Sequence, residues 1–134
     1  MIVVDTSALI AIIAAEPDAE RFARLLGEAS GLAISTGTAL ELSIVARRKA
    51  GADGWERVRM LIAELKIAAL PFDEPQLQIA TEGYALYGRG SGHPAQLNYG
   101  DCFAYALAKS LDVPLLYKGD DFVHTDIRPA IEPR

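Results

Sequence analysis

Met1-Ile2-Val3-Val4-Asp5-Thr6-Ser7-Ala8-Leu9-Ile10 decides how the chain is to be read. Ile2, Val3 and Val4 form a short β-branched run, suited to a strand buried on both faces of a parallel sheet. Thr6 and Ser7 can cap a helix that continues through Ala8, Leu9 and Ile10 until Glu16-Pro17 stops it. Asp5 stands at the junction, where the carboxyl end of a strand meets the amino end of a helix.

The same alternation recurs along the chain. A second helix starts after Asp18, with Phe22, Leu25 and Leu26 at helical spacing, and Leu32-Ala33-Ile34 reads as the next strand. Thr38 opens a helix through Leu42 and Val45 that ends near Gly51, and another follows from Asp53 with Val58, Leu61, Ile62 and Leu65 on one face. Ile67 to Phe72 reads as a third strand, and Glu74 to about Arg89 as a helix. Arg89-Gly90-Ser91-Gly92-His93-Pro94 is the clearest loop. A helix from about Gly100 to Leu111 precedes a fourth strand, Pro114 to Tyr117, and Ile127 to Ile131 reads as a weaker last strand interrupted by Pro129. Strands alternating with helices predict an α/β fold with a mainly parallel sheet covered on both faces.

The 134 residues suffice for one domain with a real core and are too few for two, so residues 1–134 are expected to form a single domain. Hydrophobic residues at 51% and charged residues at 23% match an ordinary globular chain rather than a disordered one. The longest apolar run, Ala8 to Ala15, falls far short of the ~18 residues that span a bilayer. No membrane association is expected. A cytoplasmic location is, because a single cysteine, Cys102, excludes an internal disulfide framework and no basic start leads to a cleavage site. The net charge of −5 argues against binding a polyanion through overall electrostatics, unless part of that charge belongs to a cation site. Arg47-Arg48-Lys49 reads as a solvated helix end.

Four acids, Asp5, Glu41, Asp101 and Asp121, fall where strands end or helices begin. Each has a plain structural explanation. Asp5 can cap the first helix, Thr38-Ala39-Leu40-Glu41 matches a reciprocal capping box, Asp101 lies in a first helical turn, and Asp120 and Asp121 suit a turn. None of these explains why all four belong to the edge of a wound sheet where such ends converge. Crowded carboxylates repel unless a cation holds them, and an all-oxygen donor set with open positions describes Mg²⁺ or Mn²⁺. Such ions promote attack of water on a phosphodiester with no side-chain nucleophile. His93 and His124 could in principle cleave RNA by acid–base chemistry but read as surface or structural residues, and Cys102 as a packing residue. Ser7 has no Ser/His/Asp setting, and no phosphate-binding or dinucleotide-binding glycine loop follows the first strand.

The ordered set Met1 to Leu9 with its Asp-Thr-Ser, then Glu41, then Leu97-Asn98-Tyr99-Gly100-Asp101-Cys102-Phe103-Ala104-Tyr105-Ala106, then Leu115-Leu116-Tyr117-Lys118-Gly119-Asp120-Asp121-Phe122, resembles the PIN-domain ribonucleases of the VapC toxin type. The resemblance covers essentially the whole chain. It implies a three-layer α/β/α fold, a Mg²⁺- or Mn²⁺-dependent endoribonuclease, an RNA substrate, a homodimer, and inhibition by a VapB-type antitoxin through which alone DNA is reached. Asp5 corresponds to the first metal carboxylate, Glu41 to the second acid and Asp101 to the third, with Asp5 and Asp101 as chief metal ligands. Asp121 is taken as the fourth because it precedes Phe122, with Asp120 in reserve. Thr6 and Ser7 match small polar residues beside the first acid, where a hydroxyl orients Asp5 or contacts phosphate; helix capping is the alternative.

Two other readings use the same acids. A phosphoacceptor signalling domain needs an acidic pair after the first strand, but Thr6 follows Asp5. A phosphatase of the haloacid-dehalogenase kind needs a second Asp two positions on, where Ser7 stands. A non-catalytic binding module remains if the acids are only caps.

Overall fold

The computed structural model describes residues 1–132. Four strands, β1 (Ile2–Val4), β2 (Leu32–Ser35), β3 (Ala68–Leu70) and β4 (Leu115–Leu116), form one parallel sheet in the order β3-β2-β1-β4. The helices are α1 (Thr6–Ile13), α2 (Ala19–Glu28), α3 (Thr36–Glu64), α4 (Glu74–Tyr87) and α5 (Asp101–Leu111).

The chain steps outward from β1 through β2 to β3, then crosses back to lay β4 on the other side of β1. Because parallel crossovers are right-handed, this reversal puts α1 to α3 on one face and α4 and α5 on the other. The strand side chains divide accordingly, alternating with period two. Val4, Ile34 and Leu116 join a core with Leu9, Phe22, Leu42 and Val58, whereas Val3, Ala33 and Leu115 join one with Leu97, Tyr105 and Leu107. The result is the expected three-layer α/β/α arrangement. Helices α4 and α5 approach closely because Gly83 has no side chain; a Cβ there would strike the Tyr105 ring. The strand order reverses between β1 and β4, so the crevice that such sheets use for ligands opens at their carboxyl ends.

Two expectations need correction. Ile127 to Ile131 does not form a strand: Leu115 alone bridges to Pro129, with Leu115 N donating to Arg128 O at 3.0 Å and Ala130 N to Leu115 O at 2.9 Å. Pro129 has no N–H to extend that ladder. Thr38 does not open α3. Its cap is Ser35, whose hydroxyl accepts Gly37 N–H at 3.2 Å, and Thr38 is buried within the first turn with its hydroxyl unpartnered. The expected division near Gly51 is present: α3 consists of two helical segments separated at Ala50 and Gly51, both outside helical geometry, with Gly51 at φ 64°, where glycine is favoured. Among the described residues no helix is long and apolar enough to cross a membrane.

Candidate active site

Asp5 reaches the crevice because β1 is pinned on both sides. Val3 pairs with Ala33 and Leu115, and Asp5 N donates to Leu116 O at 3.0 Å, so the strand ends at a fixed point. Asp5, not Thr6 or Ser7, caps α1: its Oδ2 accepts Ser7 N–H at 3.1 Å and the Ser7 hydroxyl at 2.6 Å. The Ser7 hydroxyl also accepts Lys118 N–H at 2.9 Å, which ties the loop after β4 to the same carboxylate. Capping and pocket-lining are therefore one arrangement.

Glu41 is released from the expected capping box because Ser35, not Thr38, caps α3. Its Oε1 accepts the buried Thr6 hydroxyl at 2.8 Å. Gly100 packs directly on the Glu41 carboxylate, where an added Cβ would overlap it. Asp101 is held by its own turn: Asn98 Oδ1 accepts Asp101 N–H at 2.9 Å, and Asp101 Oδ2 accepts Asn98 N–H at 3.0 Å. In each of Asp5, Glu41 and Asp101, these bonds engage one carboxylate oxygen and leave the other outside them.

Gly119 at φ 97° makes the turn after β4, and buried Phe122 anchors it against Tyr117 at 5.1 Å between ring centroids. That anchor separates the two neighbouring acids. Asp121 lines a pocket of about 200 Å³ with Asp5, Thr6, Ser7, Glu41 and Asp101, while exposed Asp120 lines a different cleft beside Asp18 and Arg21.

The electrostatics follow from burial. Desolvation pushes the Asp5 carboxyl up to about 6; its bonds from Ser7 oppose this, and the charge of Glu41 adds to it. Desolvation also raises Asp101, against the Asn98 backbone bond and with help from the charges of Asp5 and Asp121. Four oxygen-donor acids sharing one partly desolvated pocket are held there at an electrostatic cost that a hard divalent cation would relieve. The donor set fits Mg²⁺ or Mn²⁺, although among the described residues no three acidic, His or Cys side chains already stand at chelating separation.

Lys118 is the residue that the sequence reading passed over. It lines the acid pocket, and its ammonium pairs with Glu16 at 2.6 Å. Only its place after the fourth strand could have flagged it. The histidines stay out of the site: His93 Nδ1 accepts Ala95 N–H at 3.0 Å within its loop, and His124 is exposed. Cys102 Sγ donates to Asn98 O at 3.3 Å, and burial pushes its thiol up to about 11, which makes it a poor nucleophile at neutral pH.

Gly100 offers a clean test of this geometry, since its φ of −63° suits any residue. Gly100→Ala should fold normally, because the Glu41 side chain can swing aside, yet displace that carboxylate. Activity is expected to fall about tenfold or more, as for other changes that disturb a metal site's supporting shell, with little change in melting temperature. Full activity would show that the Glu41 position is immaterial.

A wound parallel sheet with four acids lining a pocket at its switch point defines a class of α/β protein distinct from those that bind nucleotides through a glycine loop. The PIN domain matches residues 2–128. Ribonuclease VapC42 of Mycobacterium tuberculosis is 41% identical over 128 residues, covering 96% of this chain and 98% of the relative. Ribonuclease VapC28 of the same organism is 42% identical over 132 residues, covering 98% and 99%. The chain belongs to the PIN-domain family and, within it, to the VapC ribonucleases. The fold matches M. tuberculosis VapC20, a sarcin–ricin-loop-cleaving toxin, with a TM-score of 0.75 at 16% identity over 96% of this chain and 100% of that one. It equally matches VapBC2 of Rickettsia felis, solved bound to a promoter DNA fragment, with a TM-score of 0.75 at 17% identity over 99% and 98%.

Proposed function

We propose that this protein is the toxin of a toxin–antitoxin pair, an endoribonuclease that hydrolyses RNA phosphodiesters with Mg²⁺ or Mn²⁺ held chiefly by Asp5 and Asp101. The observation that carries the reading is the half-tied state of the acids: Ser7, Thr6 and Asn98 each fix one oxygen of a carboxylate that lines the shared pocket. Caps alone would not require three carboxylates from distant segments to be oriented toward one another. When bound, the ion supplies orientation of the phosphodiester and acidification of the attacking water.

The chain's own residues do the rest. Ser7 orients Asp5 and, through Lys118 N–H, fixes the loop that carries Asp121. Thr6 orients Glu41. Glu41 and Asp121 complete the acid cluster, directly or through water. Cleavage of single-stranded RNA by the purified protein, absent from an Asp5→Asn preparation made the same way, tests the assignment.

The partner reading rests on the same pocket together with the relatives solved as VapBC pairs. An acidic pocket that accepts a cation also accepts a guanidinium through paired, charge-assisted hydrogen bonds. A VapB-type antitoxin therefore directs an Arg or Lys into the acids while an apolar helix lies near the first helices, and its other end binds DNA. The toxin itself acts as a homodimer. Co-expression with the antitoxin gene adjacent to this one should relieve growth arrest and yield a stable complex. Equal RNA cleavage with and without that antitoxin, and no complex, would overturn the pairing and leave the nuclease reading intact.

A further inference from the structure

Along α3, Glu41, Ile44, Val45 and Arg48 recur at three- and four-residue intervals and so share one face. That face leads away from the acids. It forms, with Tyr99 and Phe103, a cleft of about 270 Å³ that shares Glu41 and Val45 with the acid pocket. Arg48 lies seven residues beyond Glu41, about 10 Å along the helix. The ion pairs among the described residues engage Arg21, Arg59, Lys109, Lys118 and Arg128 but not Arg48. Tyr99 is 79% exposed, two residues before Asp101. Its ring is braced edge-on by Phe103 at 5.2 Å, and Phe103 by Phe72 at 4.9 Å, so an exposed aromatic face is held on a packed support. Phe103 is itself wedged against Gly37, where a Cβ would collide with the ring.

We infer that this cleft is a nucleotide subsite: Tyr99 stacks on a base beside the scissile phosphate and Arg48 pairs with a neighbouring phosphate. The inference rests on the ribonuclease reading and deepens it. A stacking ring, an uncommitted cation and a phosphate-handling site in one continuous groove are the parts from which single-strand binding is built. They also account for how a chain of net charge −5 holds a polyanion, since the attraction is local.

The test compares KM for a single-stranded RNA with KM for the same RNA made abasic next to the cut. Tyr99→Ala should raise KM about tenfold on the intact strand, have no effect on the abasic one, and leave kcat and the melting temperature unchanged, while Tyr99→Phe behaves as wild type. Arg48→Ala should lower the slope of log KM against log salt by about 0.7, the contribution of one phosphate on a single strand, and Tyr99→Ala should not. Equal KM increases on both RNAs, an unchanged slope for Arg48→Ala, or conversion of a dimer to a monomer by Tyr99→Ala would overturn the subsite, the last result showing a protein interface instead. A wild-type protein that cleaves no RNA would sink the nuclease reading. Binding of a fluorescent single-stranded RNA to wild type and to the two alanine variants would then decide the subsite alone.

Discussion

Asp101→Asn should lose RNA cleavage by at least a hundredfold while melting at a higher temperature than wild type in EDTA. Even the outer-shell partners of metal ligands are worth 10–100-fold, and Asp101 is proposed as a ligand itself. The amide keeps the shape and the bond to Asn98 N–H but removes a charge that burial and the neighbouring Asp5 and Asp121 both disfavour. Asp5→Asn should behave alike. Relief of that repulsion is worth on the order of 1–3 kcal/mol. Loss of activity together with loss of stability would mean that the acids are structural caps.

The second large effect is the dependence of stability on pH and metal. Asp5 has its carboxyl raised to about 6 by burial, so the folded protein holds a proton that the unfolded chain has released above its usual 3.8. Folding then takes up a proton across that interval, and stability is lost as pH rises through about 6, with Asp101, raised in the same direction, extending the loss to higher pH. Asp126 behaves oppositely; its carboxylate, paired with Lys109 and Tyr105, is held below the ordinary value and supports the fold except in acid. In EDTA the melting temperature should therefore fall by roughly 5–10 °C between about pH 5 and pH 8. Millimolar Mg²⁺ should largely abolish that fall in wild type, because the cation binds the ionised carboxylates and favours the folded state. It should do little for Asp101→Asn. Identical melting curves with and without Mg²⁺ would mean that the pocket does not take the ion.

The strands were legible because Ile2-Val3-Val4 and Leu32-Ala33-Ile34 are apolar throughout, the mark of burial on both faces. The three-layer fold followed from their alternation with helical spacing. Ile127 to Ile131 misled because β-branched ends look like a strand whether or not a proline prevents the ladder. Thr38 misled for a different reason: a capping box is a local pattern, and tertiary packing that started α3 at Ser35 overrode it and turned Glu41 toward Thr6. The sequence suggested that the acids share an edge, since strand ends converge in wound sheets. It could not show that Asp121 enters the pocket while Asp120 faces away, which depends on Phe122 anchoring the turn. Nor could it show Lys118 beside the acids, because no spacing rule connects a loop residue to a helix on another layer.

The central claim is that these carboxylates serve hydrolysis by water with a divalent cation, and end-group analysis during metal titration tests it most directly. Protein stripped with EDTA should not cut single-stranded RNA, added Mg²⁺ or Mn²⁺ should restore cutting, and the downstream fragments should carry 5′-phosphates because the RNA 2′-hydroxyl takes no part. Cleavage that survives chelation and leaves cyclic phosphate ends would contradict the account and return His93 and His124 to consideration.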